Sequence, residues 1–242
     1  KEKELTGFVF KIHANMDPKH RDRLAFVKIV SGVFRRNSPY LHVRNGKKVK
    51  FSSPNAFFAE KKEIVEESFP GDIVGLHDTG NFKIGDTLTE GEILNFKGIP
   101  SFSPEHFRYV NNADPMKSKQ LSKGLDQLMD EGVAQLFTLD MNGRKVVGTV
   151  GALQYEVIQY RLEHEYGAKC TYENLSVHKA CWVEPKDIKN DEFKEFKRVK
   201  QRYLAKDKEG QLVFLADSEF TIQMTQSKYP SVKLHFTSEF KG

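Results

Sequence analysis

Cysteine is scarce in this sequence: Cys170 and Cys181 stand eleven positions apart, outside any C-x-x-C pair. A disulfide framework or a zinc site needs more ligands, so both thiols read as reduced, as in a cytoplasmic protein. No apolar run approaches the roughly 18 residues of a membrane span, and the opening Lys-Glu-Lys-Glu is not a signal peptide. No G-x-x-x-x-G-K-[ST] occurs; Gly46-Lys47-Lys48 lacks both the upstream glycine and the hydroxyl residue of that phosphate cradle. The eight histidines form no H-x-x-x-H, H-E-x-x-H or H-x-H pair, so surface or hydrogen-bonded structural roles are expected and no metal site. A G-x-S-x-G nucleophile elbow is absent as well. These absences argue against catalysis by this chain.

What remains is β-patterning and charge. At 242 residues and 38% hydrophobic, the chain can bury two ordinary cores and is too apolar for a disordered tail. Net charge is +5, but it is unevenly spread. Residues 17–50 hold ten Lys/Arg against Asp17 and Asp22, an excess of +8; residues 51–92 hold three basic and nine acidic groups, or −6. An electropositive span of this kind suits a polyphosphate partner, and a solvated barrel face with scattered lysines gives the same pattern.

Up to about Lys97 the signals are all β. Phe8, Phe10 and Ile12 alternate with Val9, Lys11 and His13, and residues 24–30 are apolar on nearly every side. Glycine turns punctuate the stretch, with Asn45-Gly46 the best hairpin signal. Gly71-Asp72 and Gly85-Asp86 each open a short apolar run, the glycine permitting the turn and the aspartate satisfying its backbone. The expectation is a β-barrel over residues 1–97, a linker within residues 94–104, and a second domain over 98–242.

After Gly91 the pattern changes. Asp114-Pro115 is a helix start, Leu121, Leu125, Leu128 and Met129 form one apolar stripe, and Gly132 ends it. Strands at 134–139 and 145–150, a helix at 152–166 and a strand at 169–177 follow an opening strand at 107–110. That order, β-α-β-β-α-β, is the split-βαβ (ferredoxin-like) pattern, and the fold class is α+β. A third helix near 191–202 and strands near 211–215 and 232–237 complete the chain; residues 219–226 fit either helix or strand, and no internal repeat is visible.

Arg35, Arg36, Arg44, Lys47, Lys48 and Lys50 fall at expected barrel turns, where long side chains can reach phosphates of a folded RNA. The aromatic residues among them, Phe34, Tyr40 and Phe51, fit the alternating core pattern better than a base-stacking role. On the third helix Lys194, Arg198 and Arg202 recur at i, i+4 and i+8; Asp191 and Glu195 beside them make local ion pairs an equal explanation. Arg144-Lys145 reads as an exposed basic loop tip and a partner contact.

Residues 7–12, 17–34, 65–88, 96–107, 114–132 and 147–182 follow one another in an order that resembles the bacterial peptide chain release factor three family of translational GTPases. The run Met-Asp-Pro-Lys-His-Arg-Asp-Arg at 16–23 and Phe-Ser-Pro-Glu-His-Phe at 102–107 resemble that branch more than elongation factor G, although residues 109–112 are less basic than the family pattern suggests. The resemblance implies a translation-factor-type barrel and a C-terminal α+β domain, the portion after the GTPase domain. Neither a P-loop nor the guanine-reading Asn-Lys-x-Asp is present, so GTP and Mg would belong to the missing N-terminal domain, and the full-length protein would be the GTPase. It further implies a cytoplasmic monomer. Its partners would be the ribosome (small-subunit RNA and ribosomal protein), a class-I release factor and its own GTPase domain, with no membrane. Its role would be GTP-dependent release and recycling of class-I factors. A stand-alone RNA-binding barrel, or the equivalent part of another translational GTPase, are the alternatives.

Overall fold

The computed structural model describes residues 3–14, 22–58, 61–94, 96, 101–185 and 190–239. Residues 16–21 of the family-like run and 97–100 of the expected linker lie outside the described residues. The chain divides into two units, Lys1–Ile99 with Asp130–Gly132, and Pro100–Met129 with Val133–Gly242.

The described residues of the first unit form the strands β1 (Thr6–Ala14), β2 (Arg23–Ser31), β3 (Phe34–Arg35), β4 (Tyr40–His42), β5 (Lys47–Val49), β6 (Asn55–Phe58), β7 (Lys61–Ile64), β8 (Glu67–Ser68), β9 (Ile73–Asp78) and β10 (Thr87–Thr89). Eight of them pair antiparallel in the order β5-β4-β10-β1-β2-β9-β6-β7, while β3 pairs with β8. The sheet curls as a β-barrel around Val9, Ile12, Val27, Ile29, Val74 and Leu76. Phe34, Tyr40 and Phe51 are interior, as their alternation required; Phe34 stacks on Tyr40 at 5.0 Å. Both Gly-Asp turns work as expected. Gly71 and Gly85 have φ of 101° and 91°. Asp72 Oδ2 accepts from the Phe69 N–H at 2.8 Å, and Asp86 Oδ2 from the Lys83 N–H at 2.9 Å.

The second unit contains β11 (His106–Asn112), α1 (Ser118–Asp130), β12 (Gln135–Leu139), β13 (Lys145–Thr149), α2 (Gln154–Tyr166) and β14 (Cys170–Asn174), the expected β-α-β-β-α-β order. Asp114 caps the turn before α1 by accepting from the Met116 N–H. Gly124 lets α1 approach α2: a Cβ there would lie 2.6 Å from Leu162 Cδ2 and 2.9 Å from Tyr166 Cγ.

The remaining segment repeats the pattern, against the expectation of no internal repeat. It runs β15 (Lys179–Pro185), α3 (Asp191–Val199), β16 (Leu204–Lys206), β17 (Leu212–Ala216), α4 (Glu219–Lys228) and β18 (Val232–His235). Residues 219–226, open between helix and strand in the sequence, are helical because Ser218 caps them, its Oγ accepting from the Thr221 N–H. One antiparallel sheet joins both modules in the order β14-β11-β13-β12-β16-β17-β15-β18. Numbered within each module, the strand order is 4-1-3-2 followed by 2-3-1-4, so the modules meet edge to edge through β12 and β16, with Thr138 opposite Lys206 and Leu139 opposite Ala205.

Alternation along these strands separates three cores. Leu136 and Val147 join α1 and α2, while Cys181, Val183 and Phe214 join α3 and α4. The residues between them (Phe107, Phe137 and Val146 of one module; Ala180, Trp182, Val213 and Leu215 of the other) pack together on the reverse face. Strands buried on both faces read as continuous apolar runs, which is why 212–216 reads Leu-Val-Phe-Leu-Ala. Trp182 is fully buried there, 6.4 Å from the Phe137 ring, and donates its Nε1–H to Asp207 at 3.0 Å.

Because Trp182 is the only tryptophan, its emission reports this shared core. Phe137→Ala, a change in the other module, is expected to cost about 3–5 kcal/mol and to lower the denaturant midpoint read from Trp182 emission. An unchanged Trp182 midpoint would mean that the modules unfold independently.

Candidate nucleic-acid interface

The basic and acidic halves of the barrel sequence meet in space. Arg35 Nε lies 3.1 Å from Glu67 Oε1 across the β3–β8 pair, and Arg36 lies 2.6 Å from Glu66 while its Nε donates to the Ser52 carbonyl. Buried Arg23 lies 3.7 Å from Asp78, and Lys28 Nζ donates to the Gly71 carbonyl. Four cations of the +8 stretch therefore answer groups of the −6 stretch, and Arg44 makes a fifth.

Arg44 grips Asp86 through two hydrogen bonds, Nε to Oδ1 at 2.6 Å and an Nη to Oδ2 at 2.9 Å, and donates to the Asn81 carbonyl. On the other side of Asp86 lies His42 Nε2, 2.7 Å from Oδ2. An ionised carboxylate only accepts, so Nε2 carries the proton. The fully buried His42 ring packs 4.6 Å from Phe82, and its Nδ1 has no hydrogen-bond partner among the described residues. Burial alone would raise the Asp86 pKa; the hydrogen bonds from His42, Arg44 and the Lys83 N–H outweigh it and hold the carboxyl below its ordinary range. This cluster ties the β4–β5 connection to the turn before β10. It is a structural knot, which assigns Arg44 a barrel role that turn position alone did not reveal.

Lys47, Lys48 and Lys50 are different. All three are exposed, and none forms an ion pair among the described residues. They follow a turn closed by Gly46 at φ 67°, and Lys47 and Lys48 lie on β5, an edge of the sheet, opposite His42 and Leu41. Lysines also blunt an edge strand against pairing with another chain, so they serve the fold whatever else they touch.

In the second unit, Arg144 is not the open loop tip expected from sequence. Its guanidinium lies 3.6 Å from the Tyr109 ring centroid and bonds Glu173 and Asn111. The Arg144 hydrogen bond, ahead of its charge, lowers the Glu173 pKa. Lys145 Nζ donates to Thr138 Oγ1 at 2.7 Å. The expected stripe on the third helix is also broken. Lys194 pairs with Asp191 at 2.9 Å, and α3 ends at Val199, so Arg202 falls in the following short 3₁₀ turn, its guanidinium 4.5 Å from the Tyr203 ring centroid. Burial, and then the like charges of Arg202 and Lys228, push the Lys200 pKa down against the opposing charge of Asp217. Arg198 stays exposed. It lines a cleft with Lys197 and Lys206, two residues that the spacing rule did not bring together.

Among the described residues no group of three His, Cys, Asp or Glu could hold a metal ion, and no helix is long and apolar enough to cross a membrane. Cys170 and Cys181 are both buried and free, and burial pushes the Cys181 thiol up to about 12, which makes it unreactive.

Asp86→Asn tests the knot. The Asp86 pKa is depressed by folding, so its stabilisation is present above the ordinary carboxylate range and is lost as pH falls through the depressed value. The variant is expected to lose roughly 2 kcal/mol at pH 7, and the gap from the native protein in thermal melts should narrow below about pH 4.

Residues 96–226 match the family model described as class II release factor RF3, C-terminal domain, and residues 4–91 match elongation factor G domain 2. Among solved structures, the chain is similar to a crystal structure of a protein from Thermus thermophilus, with a TM-score of 0.57 and 17% identity. That similarity covers 76% of this chain and 28% of the Thermus chain, and at this identity it speaks for the fold. The matched domains are those of translation factors, in keeping with a role in protein biosynthesis. With the first family model spanning more than half of its length, the chain belongs to the class II release factor RF3 family and represents the part outside the GTPase domain.

Proposed function

We propose that this chain is the ribosome-binding, non-catalytic part of a bacterial translation termination factor. With its GTPase domain, that factor promotes GTP-dependent release and recycling of class-I release factors. GTP and Mg belong to that domain, and this chain contributes no residue to their chemistry. Small-subunit ribosomal RNA and ribosomal protein are the partners of the barrel and the C-terminal domain, and the factor acts in the cytoplasm as a monomer.

The observation that carries the reading is the division of the barrel's positive charge. The described arginines of the basic stretch are engaged within the barrel, whereas Lys47, Lys48 and Lys50 are exposed together on and beside β5 and available to phosphates. Contacts of this type are independent of base sequence and position a protein on a folded RNA. An exposed apolar stripe on and just before α2, formed by Val150, Leu153, Val157 and Tyr160, adds that the chain works as a piece of a larger assembly.

In the full-length factor, Lys47→Glu/Lys48→Glu/Lys50→Glu should weaken ribosome co-sedimentation. Each lost phosphate contact should lower the slope of log affinity against log salt by about 0.7–0.9, or roughly two to three for the set. Arg35→Gln should move the slope far less, because Glu67 already answers that charge. Equal slopes for native and triple-variant factors would remove the hairpin from the interface.

A further inference from the structure

A cleft of about 670 Å³ opens in the second module between α3 and the strands β16 and β17, reaching Asp140 at the β12 end of the neighbouring module. Its rim carries Lys197 and Arg198 from the last turn of α3 and Lys206 from the end of β16. All three are exposed, and none has an ion-pair partner among the described residues. Asp140 is the one carboxylate that lines the cleft, which leaves it with an excess of positive charge. Its floor is apolar, built from Phe193, Leu204 and Leu212.

We propose that this cleft receives an acidic segment of a partner protein. Its carboxylates would lie on Lys197, Arg198 and Lys206, and one bulky apolar side chain would lie against Leu212. The surface goes beyond the RNA-facing hairpin of the barrel, and its occupant is of a different class. Three cations on two separate elements converge on one concavity, an arrangement that complements several carboxylates spaced along a chain. The floor decides between peptide and nucleic acid. Single-stranded RNA needs open ring faces for its bases. Phe193 is 8% exposed and stacks on Phe196 at 6.1 Å. The neighbouring Tyr203 ring has Arg202 at 4.5 Å and Lys200 at 5.6 Å from its centroid. Neither ring offers a stacking platform, whereas Leu212 is only partly covered and can accept an aliphatic or aromatic side chain.

The test is fluorescence anisotropy of a labelled peptide holding a Leu-Phe pair flanked by glutamates, added to the 242-residue chain. The peptide should bind. Lys197→Glu/Arg198→Glu, and separately Lys206→Glu, should each weaken it at least about tenfold, as expected for loss of convergent charge pairs. Lys194→Glu, on the same helix but already paired with Asp191, should change it by about twofold at most. Replacing the Leu-Phe pair by Ser-Ser should weaken binding while net charge is unchanged. The proposal is overturned if the Leu-Phe peptide does not bind, if charge reversal in the cleft leaves its affinity intact, or if the Ser-Ser peptide binds equally well. It is also overturned if oligouridine binds more tightly than the peptide and is displaced by the same reversals, which would make the cleft an RNA groove.

Discussion

Phe137 and Trp182 come from different βαββαβ modules and pack 6.4 Å apart on the face of the sheet turned away from the helices. A split-βαβ sheet standing alone buries one face under its helices and leaves the other to be covered. Here each module covers the other, so one sheet feeds three cores. The seam strands β12 and β16 share a short register, Thr138 with Lys206 and Leu139 with Ala205, and the apolar core behind them adds to their cohesion. The cleft beside α3 lies where the two modules meet edge to edge, with the Asp140 N–H on the Leu204 carbonyl and Lys206 opposite Thr138, so that Asp140 and Lys206 line one concavity.

In the barrel the comparable constraint is charge pairing between distant segments. Residues 17–50 would repel one another as an isolated stretch; residues 51–92 return the opposite charge through Glu66, Glu67, Asp78 and Asp86. Asp86 shows how far this pairing reaches. It fixes Arg44 and His42 in one knot, and the turn of residues 43–46 that presents the lysine hairpin follows from that knot. Exposed pairs such as Arg35–Glu67 stabilise little, but they remove a cation from the outward-facing set. Among the described residues of 17–50 the set of unanswered cations is therefore smaller than the charge count suggests, and it is lysine rather than arginine.

Much of the architecture was legible in the residues. Period-two alternation marked β1, glycine with aspartate marked the turns at 71–72 and 85–86, and Asp114-Pro115 with the leucine stripe marked the start of α1. These features are local, and tertiary packing overrode them only in β1, where a bulge between Val9 and Lys11 brings Val9 into the core with Ile12 and leaves Phe8 and Phe10 half-buried. The second βαββαβ module was not legible as a repeat, because the two halves share topology without matching residues. Its α4 has no clean apolar stripe: Phe220 and Met224 are exposed, while Ile222 and Thr225 are buried. In the candidate sites, the basic residues of 35–50 could be named, but not sorted into paired and unpaired. The stripe of Lys194, Arg198 and Arg202 required a helix continuing to residue 202, whereas α3 stops at Val199 and the chain tightens into a 3₁₀ turn.

By itself the sequence determined most of the element types (residues 219–226 were left open), the change from a β-rich to an α+β pattern along the chain, and the absence of P-loop, metal-ligand and nucleophile motifs. Those follow from spacing and residue chemistry within a few positions of the chain. Only the tertiary structure decided which cations are answered by carboxylates, that Arg144 lies over Tyr109, and that Lys197, Arg198 and Lys206 share one cleft. Each of these depends on residues far apart in sequence. Coulomb attraction and desolvation act on distance in space, and the pairing of β3 with β8 or of β12 with β16 is what sets that distance.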